Sequence, residues 1–122
     1  MSKLILTSVK QCLGNRLPAG AKIKFKSERQ RYTVRASNTA YAVCTKPFNA
    51  QKTVLYTIVD LVNNVRGAEN LIFGFGAETD EQCQEMLERI TDGETEVSYR
   101  TRLALDIDTI EFTHPNPTER KN

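Results

Sequence analysis

The sequence predicts a single α+β domain in which a small antiparallel sheet, strongly bent or forming a partly open barrel, carries one main helix in its C-terminal half. Its length of 122 residues is typical of one domain. Apolar and polar residues alternate over several short segments of the first half, as in strands with one buried face. After Thr79 the apolar period changes to 3.6, as in a helix. The domain is expected to cover residues 1–113 and a flexible tail to cover 114–122.

The first third of the chain predicts three strands joined by polar turns. Residues 2–12 fit either a short helix or a strand. The first clear strand covers residues 22–26, where isoleucine and phenylalanine alternate with lysines. Further strands are predicted over residues 31–36 and 40–45, with Ser27–Gln30 and the segment after residue 36 as turns.

A central strand follows an interruption. Lys46–Asn49 is expected to interrupt the ladder because Pro47 has no N–H to donate. Residues 53–61 are β-branched and apolar on both faces, which is typical of a central strand. Residues 70–73 predict a further strand that leads into Gly74–Gly76.

The helix is predicted from its own capping signals. Thr79 and Gln82 form a capping box, and acidic residues occupy the first turn, where the helix dipole favours them. Gly93 is suited to the position after the C-cap. One stripe holds the apolar side chains Cys83, Met86, Leu87 and Ile90. Beyond it, residues 97–102 fit a strand or a second short helix, and residues 103–107 predict a last strand.

Charge is divided unevenly along the chain. Residues 1–66 contain twelve Lys and Arg but two acids, a charge of +10, and the remainder contains five basic and thirteen acidic residues, a charge of −8. The sum is the net +2 of the chain. Such a division favours a basic face that attracts anions, or the pairing of the basic part of one subunit with the acidic part of another.

The apolar runs of the sequence predict the location of the protein, and the spacing of its cysteines predicts their chemical state. Its apolar runs fall far short of the roughly 20 residues of a membrane span, and its start lacks the features of a signal peptide, so we expect a cytoplasmic protein. Cys12, Cys44 and Cys83 are odd in number and widely spaced. This favours reduced, buried thiols over a zinc site, which needs four closely spaced ligands.

No convincing catalytic constellation is evident. A serine or cysteine nucleophile needs a nearby base, and the only histidine, His114, precedes a proline-containing tail. Asp106 and Asp108 are interpreted as one polar face of a strand. We therefore expect a protein without enzymatic activity, metal or cofactor.

Two loops are candidates for ligand binding. In the first, the Phe48 ring is suited to stacking on a base and the Asn49 amide to binding a base edge or ribose, although Phe48 would equally close the end of a barrel. In the second, Gly74 and Gly76 allow a ligand to approach the backbone beside Phe75, although packing of the phenylalanine is the alternative. The GxG pattern lacks the third glycine of a dinucleotide-binding loop.

Three arginines beside predicted turns extend this candidate site. A guanidinium group matches the geometry of a phosphate, and several together would form an anion site, although any one alone is more typical of a solvated surface. Arg66→Ala or Arg100→Ala is expected to weaken phosphate binding and to leave the fold intact. The predicted ligand-binding set is Phe48, Asn49, Arg66, Asn70, Phe75, Arg100 and Arg102.

Two resemblances add to this interpretation. Residues 20–25, 32–34 and 42–44 resemble the opening hairpins of a small SH3-like barrel. A second resemblance, to the phage Thoeris anti-defence family of the first class, rests on segments between residues 22 and 108. These segments are residues 45–49, 53–56, 65–67, 70–74 and 97–100. The resemblance implies a phage protein that blocks bacterial anti-phage defence by sequestering cyclic ADP-ribose isomers made by TIR-domain enzymes. Some members are oligomeric and also take up cyclic oligonucleotides.

Two other functions remain open at this point. A nucleic-acid-binding barrel would use the basic N-terminal half as an extended track with exposed rings. An inhibitor of a host defence protein would need an exposed apolar patch with a polar rim. For a nucleotide binder we also expect a homo-oligomer, dimeric or larger, because a chain of 122 residues has little core to spare for an enclosed ligand.

Overall fold

The computed structural model describes residues 2–47, 54–67, 70–72, 79–93 and 102–114, and these residues form an antiparallel sheet and one α-helix. The predicted α+β class is therefore confirmed. The strands are β1 (Ser2–Leu6), β2 (Lys22–Phe25), β3 (Tyr32–Ser37), β4 (Tyr41–Pro47), β5 (Val54–Asp60), β6 (Val65–Gly67), β7 (Asn70–Ile72), β8 (Arg102–Ala104) and β9 (Ile107–His114). The helix is α1 (Asp80–Thr91), and short 3-10 helices lie at Val9–Gln11 and Leu13–Asn15.

The sheet must curl strongly to satisfy its own connections. Its order is β1-β9-β2-β3-β4-β5-β6-β8. Strand β7 pairs with the first half of β5, on the same edge on which the end of β5 pairs with β6. Only Leu105 and Asp106 join β8 to β9, a reach of about 10 Å, whereas six strand spacings in a flat sheet would separate them by roughly 29 Å. The seven strands from β9 to β8 therefore bend into an incomplete ring, as predicted. Within the described ranges, no backbone ladder closes it between β8 and β9.

The inside of this ring is the main core. Its fully buried side chains alternate along the strands with outward-facing polar ones. Tyr32 and Val34 of β3 face inward as the alternation predicts, whereas Ala36, which the same alternation places inward, lies after an irregularity in the β3–β4 register and packs in the cluster with α1 instead. Cys12 and Leu17, from the segment between β1 and β2, belong to the same core. The other members are Ala21, Ile23, Phe25, Tyr32, Val34, Ala42, Cys44, Val59 and Ile110.

The helix α1 packs on the outer face of β3 and β4 and forms a second apolar cluster. This cluster consists of Ala36, Val43, Ile58, Cys83, Leu87 and Ile90. Strand β4 is consequently buried on both faces from Ala42 to Lys46. The apolar stripe predicted for the helix is thus the face that covers the sheet. No helix in the described part of the chain is long and apolar enough to cross a membrane.

One open alternative is decided, and two sequence predictions are corrected. Residues 2–6 form a strand, because their backbone pairs with β9, and a 3-10 helix follows. The strand predicted over residues 103–107 is wrong, because the chain turns at Leu105 and Asp106 between two strands. Lys46 and Pro47 belong to β4 instead of interrupting it, since Pro47 takes the last position, opposite Val54. Residues 97–101 and 115–122 lie outside the described ranges.

The predicted capping box of α1 is confirmed. The Thr79 hydroxyl accepts a hydrogen bond from the Gln82 backbone N–H at 3.1 Å, and the Gln82 side chain accepts one from the Thr79 N–H at 3.2 Å. Gly93 ends the helix with a φ of 80°, a conformation that glycine adopts without strain.

Thr79→Ala is expected to lower the free energy of unfolding by about 1 kcal/mol, because it removes one acceptor from the first turn. Urea denaturation followed by far-ultraviolet circular dichroism measures this change. Thr39→Ala, at an exposed position in the turn between β3 and β4, is the matched control and should leave stability unchanged. Equal stability of the two variants would contradict the role of the cap.

Candidate functional site

Four charged side chains converge at one end of the curled sheet, which we call the barrel mouth. Lys46 comes from β4, Arg66 from β6, Glu28 from the turn after β2, and Asp106 from the linker before β9. Arg66 is completely buried and Lys46 is 7% exposed. Two cations and two carboxylates make this mouth cluster neutral in sum.

Arg66 joins strands that are not neighbours in the sheet. Its Nη1 donates to Glu28 Oε2 at 2.8 Å, its Nη2 to Ser27 Oγ at 2.8 Å, and its Nε to Asp106 Oδ1 at 3.1 Å. Its guanidinium carbon lies 3.9 Å from the centre of the Phe25 ring. Such partners are required, because an unpaired charge in the interior is strongly unfavourable. The contacts connect β6 to the end of β2 across the ring.

Lys46 approaches the same carboxylate from the other side. Its Nζ lies 3.5 Å from Glu28 Oε1 and 4.8 Å from the centre of the Tyr32 ring, a cation–π contact. Tyr32 in turn packs edge-on against Phe25, with ring centres 5.7 Å apart. The two oxygens of Glu28 therefore each face a different buried cation.

Asp106 is held ionised within this cluster. Burial acts to raise its pKa, but hydrogen bonds from Ser27 and Arg66 outweigh burial and keep the pKa below its ordinary value. The backbone N–H of Ser27 donates to Oδ2 at 3.0 Å, and the Asp106 carbonyl accepts from the Lys26 N–H at 2.7 Å. Asp108 instead pairs with Lys24 at 3.4 Å. The expected shared polar face of the two aspartates is therefore wrong.

Two of the predicted ligand-binding segments follow strands that share one row of the sheet. Pro47, Val54 and Ile72 share one row of the sheet, and Lys46 immediately precedes it. In the chain, Phe48 and Asn49 follow β4, and Phe75 follows β7. These three residues, like Arg100, lie outside the described ranges.

The remaining predicted site residues are placed as follows. Asn70 begins β7 and Arg102 begins β8, opposite Gly67. Arg66 does not lie on a solvated edge but in the interior, paired with two carboxylates. The expectation that Arg66→Ala leaves the fold intact is therefore replaced by an expected loss of stability, because this change would leave Glu28 and Asp106 without their shared cation.

Sequence reasoning missed the two carboxylates of the mouth. Glu28 was assigned to an exposed polar turn, and Asp106 to a strand surface. The scarcity of acids in the first half was a signal that Glu28 has a specific role, since it is one of only two acids among residues 1–66.

The outer side of the same turn is basic. Lys26 and Arg29 are exposed and make no ion pair with any residue of the described ranges, whereas Arg31 pairs with Glu111 at 2.7 Å. These side chains place positive charge beside the mouth, where it attracts anions.

A groove elsewhere on the molecule is less suited to an anion. A groove of about 370 Å³ lies along α1, with Arg16 and Asn38 among its lining residues together with Glu88 and Asp92. Its two carboxylates outnumber the one arginine, and the C-terminal end of a helix carries partial negative charge. An anionic ligand would therefore be repelled there.

The three cysteines are thiols outside any disulfide and are buried, as expected for side chains that pack as small apolar groups. Burial raises the pKa of Cys44 to about 12, so this thiol is protonated at neutral pH. The described residues contain no group of three His, Cys, Asp or Glu side chains that could hold a metal ion.

Comparison with known proteins finds no matching family model, no matching characterised protein and no matching solved structure. The resemblance to the phage anti-defence family therefore stays a prediction.

Proposed function

We propose that this chain is a non-catalytic binding protein that takes up a nucleotide-type anion at the barrel mouth. One observation carries the proposal: two buried cations, Arg66 and Lys46, share a single carboxylate, that of Glu28, at the barrel mouth. With the family resemblance, the proposed ligands are cyclic ADP-ribose isomers or cyclic oligonucleotides. Their sequestration in the cytoplasm of a host bacterium would block anti-phage defence.

The chemistry of the mouth supports an anionic ligand. An arginine presents two aligned donors to phosphate oxygens, and a lysine adds a mobile point charge. Mouths of β-barrels are common positions for ligand sites. Buried charges stabilise a fold less than well-packed apolar side chains of similar size, and a role in binding would account for their retention.

The proposal requires neither a general base nor a metal, because sequestration breaks no bond. It includes a homo-oligomer, since the basic first half and the acidic second half of two copies are complementary in charge.

The alternative of an inhibitor that docks on a host protein has less support. The exposed large apolar side chains in the described ranges are Ile5 and Val62, on separate elements.

The test is calorimetry against cyclic ADP-ribose isomers, cyclic dinucleotides and a single-stranded oligonucleotide, followed by heat release and mass spectrometry. We expect one cyclic nucleotide to bind and to return with unchanged mass. Lys46→Met should weaken its binding about tenfold or more, because a charge-assisted hydrogen bond is lost. Sedimentation of the same samples measures the oligomeric state.

Lys10→Met, at an exposed position on the 3-10 helix, is the matched control and should bind like the wild type. A ligand recovered in altered form would contradict a purely binding role. Binding of the oligonucleotide alone, with a steep loss of affinity in salt, would instead support the nucleic-acid alternative.

A further inference from the structure

We infer that Glu28 occupies the ligand's own anion position, so that a phosphodiester binds by displacing its carboxylate from between Arg66 and Lys46. The inference rests on the proposed function and specifies the class of ligand and the residue with which it competes. The contacts of Glu28 are those expected of a bound anion, with one oxygen 2.8 Å from Arg66 Nη1 and the other 3.5 Å from Lys46 Nζ.

Glu28 is attached in a way that permits its exchange. It lies in the turn between β2 and β3, whose other residues from 26 to 31 are all exposed. The ladder between these strands pairs Lys22 with Thr33 and Ile23 with Tyr32, so it ends well before the turn. Displacement of Glu28 therefore breaks no β2–β3 ladder pair. Rotation of the Glu28 side chain is sufficient for the exchange, and it leaves in place the backbone hydrogen bonds from Lys26 and Ser27 to Asp106.

The second carboxylate of the cluster is not exchangeable in this way. Asp106 lies in the two-residue linker that joins β8 to β9, and it accepts hydrogen bonds at both its side chain and its backbone carbonyl. Moving it would disturb two strands at once. The geometry therefore distinguishes Glu28 as the mobile acid and Asp106 as the fixed one.

Charge balance selects the kind of phosphate. With Glu28 displaced, Arg66, Lys46 and Asp106 sum to +1. A phosphodiester carries one negative charge and restores neutrality, as Glu28 does. Because the diphosphate of a cyclic ADP-ribose isomer carries two negative charges, this balance favours the cyclic oligonucleotides among the proposed ligands. A terminal phosphate monoester carries between −1.5 and −2 at neutral pH and would leave excess negative charge in the interior. Cyclic nucleotides should therefore be preferred over their open monoesters.

The experiment compares wild-type protein and Glu28→Gln by calorimetry with two probes, 3′,5′-cyclic AMP as the diester and AMP as the monoester. We expect Glu28→Gln to bind cyclic AMP about tenfold or more tightly than the wild type, because the competing carboxylate is gone. The gain should be smaller for AMP. Glu85→Gln makes the same change of charge on the exposed surface of α1 and should alter neither affinity.

An unchanged affinity in a folded Glu28→Gln variant would overturn the inference. If a thermal melt shows that this variant is unfolded, Glu28→Asp serves instead, since the shorter acid cannot span both cations and should also bind cyclic AMP more tightly. Wild-type binding of a cyclic signal without any gain in the Glu28 variants refutes the inference alone. A gain for cyclic AMP, with none of the proposed signals bound, refutes only the proposed function.

Discussion

Arg66→Ala is expected to lower the free energy of unfolding by about 3–5 kcal/mol, the effect of removing one partner from a buried ion pair. The substitution leaves Glu28 and Asp106 facing each other without their shared cation, and it removes the group that stacks on Phe25. It also breaks the side-chain contacts that connect β6 to β2 across the open ring. Urea denaturation followed by circular dichroism gives the change directly.

Arg89→Ala is the matched control for this prediction. Arg89 pairs with Glu85 on the surface of α1, where both side chains are more than half exposed, and its loss should change stability by less than about 0.5 kcal/mol. The quadruple variant Arg66→Met, Lys46→Met, Glu28→Gln, Asp106→Asn should recover part of the loss, because it removes all four charges of the mouth cluster together. A loss below about 1 kcal/mol for Arg66→Ala would show that the mouth cluster does not hold the ring together.

Leu87→Ala is expected to lower the free energy of unfolding by about 2–5 kcal/mol. Leu87 is 2% exposed and packs in the cluster that attaches α1 to the sheet. The smaller side chain leaves a cavity between α1 and the sheet, on the outer face of β4, which the helix normally covers. Urea denaturation measures the loss, and hydrogen exchange of α1 shows whether the helix separates from the sheet before the barrel unfolds.

Gln84→Ala, on the exposed side of the same helix, tests whether helix propensity alone explains the result. Gln84 donates to Glu88 at 3.2 Å on the helix surface, and its loss should remain within about 0.5 kcal/mol. Similar losses in the two variants would contradict the importance of the second apolar cluster.

Local signals in the sequence were sufficient for α1 and for the strands β2 to β5. Thr79, Gln82 and Gly93 define α1 through hydrogen bonds within one or two turns, so the helix follows from a short window of residues. The alternation in β2 and β3 likewise reports which side of a strand is buried. The division of residues 102–114 into two strands could not be predicted, because Leu105 and Asp106 bind backbone groups far away in the chain.

The mouth cluster was beyond sequence reasoning for a related reason. Arg66 reaches partners 38 and 40 residues away, and charged residues are by default expected at the surface. Only the curl of the sheet brings Glu28 and Asp106 to the same guanidinium. The sequence predicted that arginine would be important for an anion, but not that two carboxylates would already be bound to it.

The incomplete ring has a mechanical consequence. A barrel whose strands are all joined by backbone hydrogen bonds has a circumference fixed by its strand number and stagger, so it widens only by losing part of its ladder. Here, within the described ranges, no ladder joins β8 to β9, and the wall is held at that joint by their two-residue linker, by the backbone hydrogen bond from Lys26 to Asp106 and by the side chains of the mouth cluster. Loss of the side-chain contacts alone would therefore let this joint widen within the reach of the linker, about 10 Å, while every backbone ladder keeps its registration.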